Sequence, residues 1–369
     1  MPHATFAHAL ETRKPHPAVA PGAGTAPPQV PAKDARQTAQ LDQTDTTWHQ
    51  ELRDAIRDPA ELCRLLDLPA EIAAHAAPAI RDFPLFVPRD FLARMRPGDP
   101  RDPLLMQVLP TAAETTIITQ FSPDPVGDLA AVVTPGLLHK YPGRALLILT
   151  GACAVHCRYC FRRHFPYAEL PRSLAQWRPA LDHLAADNSL SEIILSGGDP
   201  LILRDELLGE LATQLATIPH LRRLRVHTRL PIMIPRRVTD ELLGWLRGTR
   251  LSPIMVVHAN HPAELVSSAA AALRRLVQAG IPTLNQAVLL RGINDSAAVQ
   301  AELSARLLDL GVLPYYLHQL DRVAGGAHFE VPISTGLQIL GELQATLPGY
   351  AVPRYVQEVP GARGKTPLV

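Results

Sequence analysis

Apolar runs recur through the chain at ALLILT (145–150), EIIL (192–195), LRVHT (224–228), IMVVH (254–258), LNQAVLL (284–290) and VLPYYL (312–317). Their starts lie 47 residues apart for the first pair and 28 to 32 apart thereafter. The gaps carry apolar residues at spacings of three and four, as in ELLGELATQLATI (206–218) and AAALRRLVQAGI (270–281). That alternation predicts strand and amphipathic helix in turn, hence a parallel sheet with right-handed crossovers. Six units rather than eight predict an α/β fold of the open, partial (β/α)6 barrel type. Upstream, LRDAIRDPAELCRLLDL (52–68) has helical spacing, which predicts a short helical cap from Trp48 to about residue 105 with Cys63 as an inert core residue. Residues 1 to 45 are rich in Pro, Ala, Thr and Gln without a period that buries an apolar face, so a disordered extension is expected there.

Polar residues gather just after the apolar runs. Ser196-Gly197-Gly198-Asp199 follows the second run, and His227, Thr228 and Arg229 end the third. His258, Asn260 and His261 end the fourth. Gln286 lies within the fifth, with Asn294 and Asp295 beyond it, and His318 and Asp321 close the sixth. In parallel barrels the C-terminal strand ends form the active site, so these five polar ends, together with the cysteine-rich loop after the first run, predict one.

Composition narrows the function classes. With a net charge of +1, 19% charged residues and 47% hydrophobic ones, the chain has material for a large core and no nucleic-acid footprint. No apolar stretch approaches the roughly 20 residues of a membrane helix, and the N-terminus has no secretory h-region. Three clustered cysteines plus Cys63 imply the reducing cytoplasm. Of the 36 Lys and Arg residues only Lys14, Lys33, Lys140 and Lys365 are lysines. The first two fall in the extension, so a reactive lysine would be Lys140 or Lys365.

The run GACAVHCRYCFRRHF (151–165) places Cys153, Cys157 and Cys160 in a C-x3-C-x2-C loop directly after the first predicted strand. Three thiolates can each hold one iron of a [4Fe–4S] cluster and leave the fourth iron open. A zinc knuckle with His156 or His164 as fourth ligand, or a disulfide with a spare thiol, fits the same residues. A zinc- or cluster-stabilised binding protein therefore stands as the non-enzymatic alternative. With Tyr159 before the last cysteine, the loop resembles that of radical S-adenosylmethionine (SAM) enzymes. The following SGGDP (196–200) looks like the segment that holds the methionine amino group of SAM, which makes Tyr159, Ser196, Gly197, Gly198 and Asp199 candidate SAM residues.

Beyond that loop, the chain resembles the lysine 2,3-aminomutase family of radical-SAM, pyridoxal 5′-phosphate (PLP) enzymes over roughly residues 50 to 369. The segments are GLLHKYPGRALLILTGACAVHCRYCFRRHFPY, ILSGGDPL, HTRLPIMIP, NHPAEL, NQAVLLRGIND, PYYLHQLDRVAGGAHF and GYAVPRYVQEVPGARGKTPL. The resemblance implies a division into an extension (1–45), a helical cap region (46–138), a radical-SAM core (139–330) and a C-terminal PLP-lysine segment (331–369). It implies that Lys365 holds PLP and that Lys140, Tyr141 and Arg144 lie near its phosphate. Arg162 then pairs with the substrate carboxylate, and Asp321 and Glu358 with its far amino group. The implied reaction turns L-α-lysine into β-lysine and needs an external electron donor. HKY, CFRRHFPYAE and the end just after KTPL look most like the branch that serves elongation factor P, alongside that factor's lysyl-transferring ligase. Release of free β-lysine for catabolism or secondary metabolism is the alternative. Two departures bear on substrate fit: Glu358 stands where the family has Asp, and the glycine run before Lys365 reads Gly361-Ala362-Arg363-Gly364. The resemblance further implies that the C-terminal extension of the free-lysine aminomutases is absent beyond Lys365.

Overall fold

The computed structural model describes residues 47–369, so the extension expected over 1–45, with Lys14 and Lys33, lies outside the described residues. Ten strands form one sheet in chain order. They are β1 (Val132–Thr134), β2 (Leu137–Tyr141), β3 (Arg144–Ile148), β4 (Glu192–Ser196), β5 (Arg223–Thr228), β6 (Ser252–His258), β7 (Thr283–Val288), β8 (Leu313–His318), β9 (Arg354–Gln357) and β10 (Thr366–Pro367). Strands β3 to β9 run parallel, while β1, β2 and β10 are antiparallel to their neighbours. No pairing joins β1 to β10 among the described residues, so the sheet is open.

The six strands read from the apolar runs are β3 to β8. The structure adds a seventh parallel strand, β9, and the antiparallel margins. Of these, β2, β9 and β10 are short and mix polar with apolar residues (LLHKY, RYVQ, TP), so no long apolar run marks them. Their pairing comes from turns instead: Gly143, at φ 77°, turns β2 into β3, and Gly361, at φ 78°, lies between β9 and β10. Both conformations suit glycine, which has no Cβ to clash.

Helices cover the sheet through the faces their spacing implies. The helix Asp205–Ala216 buries Leu208, Leu211, Ala212 and Leu215, and Ser267–Gln278 buries Leu273 and Leu276. Opposite them lie Leu147, Ile193, Leu195, Val226, Met255 and Val257, all buried. The expected cap is present as helices Trp48–Arg53, Pro59–Leu65, Ala70–Ile80 and Arg89–Leu92. Thr47 and Asp58 cap the first two with side-chain oxygens, and Cys63 is buried in the core as expected. Because β3 to β9 are parallel, the cysteine loop, Ser196, Thr228, His258, His318 and Glu358 all arrive at one end of the sheet.

Candidate functional site

A cavity of about 600 Å³ opens at that end, and every residue given a cofactor, metal or substrate role from the sequence lines it: Cys153, Cys157, Cys160, Tyr159, Arg162, Ser196 to Asp199, Lys140, Tyr141, Arg144, Asp321, Glu358 and Lys365. Residues more than 200 positions apart thus share one chamber.

The cysteine loop leaves β3 and is pressed against the β4 turn. The Gly198 amide donates to Thr150 O at 2.7 Å and the Asp199 amide to Ala152 O at 2.9 Å. A Cβ on Gly198 would sit 2.2 Å from Ala152 O, and one on Gly197 2.5 Å from Thr150 O. These glycines therefore admit the cysteine loop itself, and the Gly198 amide is engaged within the protein. The Asp199 carboxylate is likewise occupied: it accepts from Thr228 Oγ1 (2.7 Å), Arg229 N (2.7 Å) and Leu230 N (3.1 Å). Burial raises this carboxyl to about 6 against those bonds. Asp199 ties the β5 end to the β4 turn.

All four cysteines are free thiols, which removes the disulfide reading. A single tetrahedral zinc would draw its sulfurs to roughly 3.8 Å apart, given a Zn–S bond of about 2.3 Å. Among the described residues the three thiols do not form a group with ligand atoms within 4.8 Å of one another. Both histidines proposed as a fourth ligand are engaged elsewhere, His156 Nδ1 with Pro84 O at 2.8 Å and His164 Nε2 with Ala324 O at 3.1 Å. Wider separation suits a cluster in which each thiolate meets a different iron. Burial raises the Cys153 thiol and pushes Cys160 to about 11, so these thiols keep their protons until a metal replaces them. Arg229 Nη1 donates to Cys157 Sγ at 2.8 Å.

Tyr159 is buried with its hydroxyl in a network. It accepts from Asn260 Nδ2 (2.6 Å) and Arg229 Nη1 (2.8 Å) and lies 3.2 Å from His258 Nε2. Arg229 also donates to Glu264 (2.8 Å) and Gln107 (2.5 Å), both buried.

At the other side of the chamber stands a carboxylate–cation set. Thr366 pairs with Gln357 across β9 and β10, which brings Lys365 opposite Glu358, and Lys365 Nζ donates to Glu358 Oε2 at 2.6 Å. Tyr141 donates to the other Glu358 oxygen, and the Arg144 guanidinium lies 4.6 Å from the Tyr141 ring centroid. Burial acts to raise the Glu358 carboxyl, but Lys365 and Tyr141 outweigh it and hold it below the ordinary range. Asp128, which no motif flags, accepts from Lys140 Nζ at 2.6 Å and from Arg162 Nε at 2.6 Å. Arg162 Nη1 reaches Ser196 Oγ at 3.1 Å. No hydrogen bond or ion pair among the described residues anchors the Asp321 carboxylate in this way. Burial pushes it up to about 7, with Lys365 opposing and Glu358 adding to the rise.

The Radical SAM superfamily model matches residues 147–302. L-lysine 2,3-aminomutase of Escherichia coli (strain K12) is 48% identical over 87% of this chain and 94% of its own length. The enzyme of that name from Haemophilus influenzae is 44% identical over 87% of this chain and 95% of its own, and that from Clostridium subterminale 34% over 87% and 77%. The chain belongs to the lysine 2,3-aminomutase family. Among solved structures, Streptococcus suis SuiB bound to S-adenosylmethionine is a distant likeness, with TM-score 0.45 and 11% identity over 60% of this chain and 51% of that one.

The chamber fits the cofactors that this family implies. Three thiols spaced too widely for one ion suit the [4Fe–4S] cluster that SAM would complete. For PLP there is a lysine beside the cationic and hydroxyl groups of Lys140, Arg144 and Tyr141. His227 Nε2, buried on the chamber wall, has no hydrogen-bond partner among the described residues, so the wall keeps a polar atom for something bound. Burial holds His227 and His318 well below the ordinary histidine range and therefore neutral. Lysine 2,3-aminomutase motifs did not point to Asp128, Gln107 or Glu264. Asp128 lies in an irregular loop and Gln107 in a short 3₁₀ turn, while Glu264 sits inside NHPAEL, where its buried bonds to Arg229 and Gln107 distinguish it. Asn294, noted at a strand end, is structural, with its amide nitrogen on Asn260 O and Val288 O.

Proposed function

We propose that this protein is an isomerase, a radical-SAM, PLP-dependent lysine 2,3-aminomutase that turns L-α-lysine into β-lysine. The observation that carries this reading is one chamber shared by the three-cysteine loop, Lys365 and a set of groups suited to both ends of lysine. When bound, the cluster and SAM supply hydrogen-atom abstraction, and PLP stabilises the migrating amino group.

Cys153, Cys157 and Cys160 bind the irons, with Arg229 offsetting charge at Cys157. Tyr159 and the Ser196–Asp199 turn shape the SAM side of the chamber. Lys365 would hold PLP, and its ion pair with Glu358 Oε2 at 2.6 Å positions the amine for that role. Lys140, Tyr141 and Arg144 receive the phosphate. Arg162, fixed by Asp128 and Ser196, orients the substrate carboxylate with a planar fork. Asp321 and Glu358 take the far ammonium, and Asp321 is driven to its ionised form by that incoming charge.

The β-lysine made here is destined for elongation factor P through its lysyl-transferring ligase, as the KTPL and CFRRHFPYAE segments suggest. The electrons come from an external donor. Free thiols in the cysteine loop suit the cytoplasm, and no helix among the described residues is long and apolar enough to cross a membrane.

The test is anaerobic turnover of cluster-reconstituted protein with PLP, SAM, dithionite and isotope-labelled L-lysine. β-Lysine, resolved by chiral chromatography and mass spectrometry, is expected. Deoxyadenosine without β-lysine would mean a different substrate, and neither product, with cluster and SAM binding verified, would overturn the reading. Adding the ligase and elongation factor P should then shift the factor's mass by one β-lysyl group.

A further inference from the structure

Away from the chamber, a second group of ligating side chains comes together. His139 lies on β2, His183 on the helix Arg178–Ala186, and Asp187 at that helix's C-cap. One ligand atom from each lies within 4.8 Å of the others. His139 is flanked by Leu138 and Lys140, which line the chamber while His139 does not. Alternation along the strand thus sends it to the opposite face, where the helix packs.

We propose that His139, His183 and Asp187 bind a divalent transition-metal ion of the zinc type, pinning β2 to that helix directly behind Lys140. Three features of the site argue for an ion. His183 Nε2 is buried and has no hydrogen-bond partner among the described residues, an expensive state for an imidazole nitrogen unless something coordinates it. Asp187 is pre-oriented: its Oδ1 accepts from the Ser189 amide at 3.0 Å and the Ser189 hydroxyl at 2.6 Å, which leaves Oδ2 toward His139. His139 Nδ1 and Asp187 Oδ2 are 3.8 Å apart, near the roughly 3.4 Å edge of a tetrahedron with metal bonds of about 2.0–2.1 Å. Two imidazoles and one carboxylate suit zinc or a similar ion and exclude magnesium and calcium, which prefer oxygen. Three protein ligands leave a position for water. The site is separate from the cysteine loop and does not depend on the reaction assigned above.

Protein carrying its iron–sulfur cluster, so that the loop thiolates are occupied, is titrated with zinc and passed through gel filtration. Zinc and iron are then counted per chain by mass spectrometry. One retained zinc is expected in the wild type, with binding weakened roughly tenfold or more in each of His139→Gln, His183→Gln and Asp187→Asn at unchanged iron content. Ser189→Ala is expected to weaken it less. Should a variant misfold, anomalous diffraction at the zinc edge from wild-type crystals decides, with a peak expected between the three side chains. Equal retention by wild type and variants, no retained zinc, or an anomalous peak only at the cysteine loop overturns the site.

Discussion

Glu358 is the residue on which the cation set turns, because Lys365, Tyr141 and Lys140 all reach its carboxylate. Glu358→Asp withdraws that carboxylate by one methylene from Lys365 Nζ. The expected outcome is retained cluster and SAM binding with a changed KM for lysine, read from steady-state kinetics. Lys365→Ala is expected to abolish β-lysine formation while iron content and SAM binding stay at wild-type levels; full turnover in that variant would remove Lys365 from the assignment. Asp321 gives a pH prediction. Its carboxyl is pushed up to about 7, so below that pH it is mostly protonated and lacks the charge that grips an ammonium. The KM for lysine is expected to rise as pH falls through 7, by roughly tenfold per unit once the group is fully protonated. Asp321→Asn should have a raised KM without that slope. Arg162→Lys replaces a fork held at two points with a single ammonium. A KM roughly tenfold to a hundredfold higher is expected, equivalent to charge-assisted hydrogen bonds of about 1.5–3 kcal/mol.

Between elements, the contact that matters most is the β4 turn against the cysteine loop. Gly198 packs backbone on backbone there, with a would-be Cβ at 2.2 Å from Ala152 O and 2.8 Å from Gly151 O. No flexible side chain can yield, so Gly198→Ala must move the loop. Loss of iron and sulfide per chain, together with a lower Tm, is the expected result. A variant with full iron content would show that the loop tolerates displacement. The β9–β10 hairpin is the second such element. Glu358 and Lys365 are seven positions apart in sequence, and antiparallel pairing turns that separation into direct opposition.

At the scale of the described molecule, the cap is fastened to the cysteine loop by buried charge. Arg158, between Cys157 and Tyr159, makes two bonds to Glu114 (2.9 and 2.6 Å) and donates to Phe83 O at 2.9 Å. Arg163 reaches the same carboxylate at 2.9 Å. The Arg158 and Glu114 side chains are 0% and 1% exposed, so removing one partner strands the other in a dry interior. Glu114→Ala is expected to destabilise the protein by about 3–5 kcal/mol in chemical denaturation. The cap thus holds the cysteine loop from outside while β4 holds it from beneath.

Local chemistry in the sequence determined the parallel strands, because long apolar runs at regular spacing can be buried only in a covered sheet. It also determined the cysteine loop, whose three thiols lie within eight residues, and Lys365, made conspicuous by the scarcity of lysine. The glycines of SGGDP were legible as a special backbone, yet their close contact is with the cysteine loop itself. Tertiary structure alone decided that Asp128 joins Lys140 to Arg162, that Glu114 anchors Arg158, and that Arg229 bridges Tyr159, Glu264 and Cys157. Each of these is a single charged residue with no periodicity, and its partner lies 12 to 72 residues away. Charge pairing depends on distance in space, which the order of residues along a chain does not contain until the strands are laid side by side.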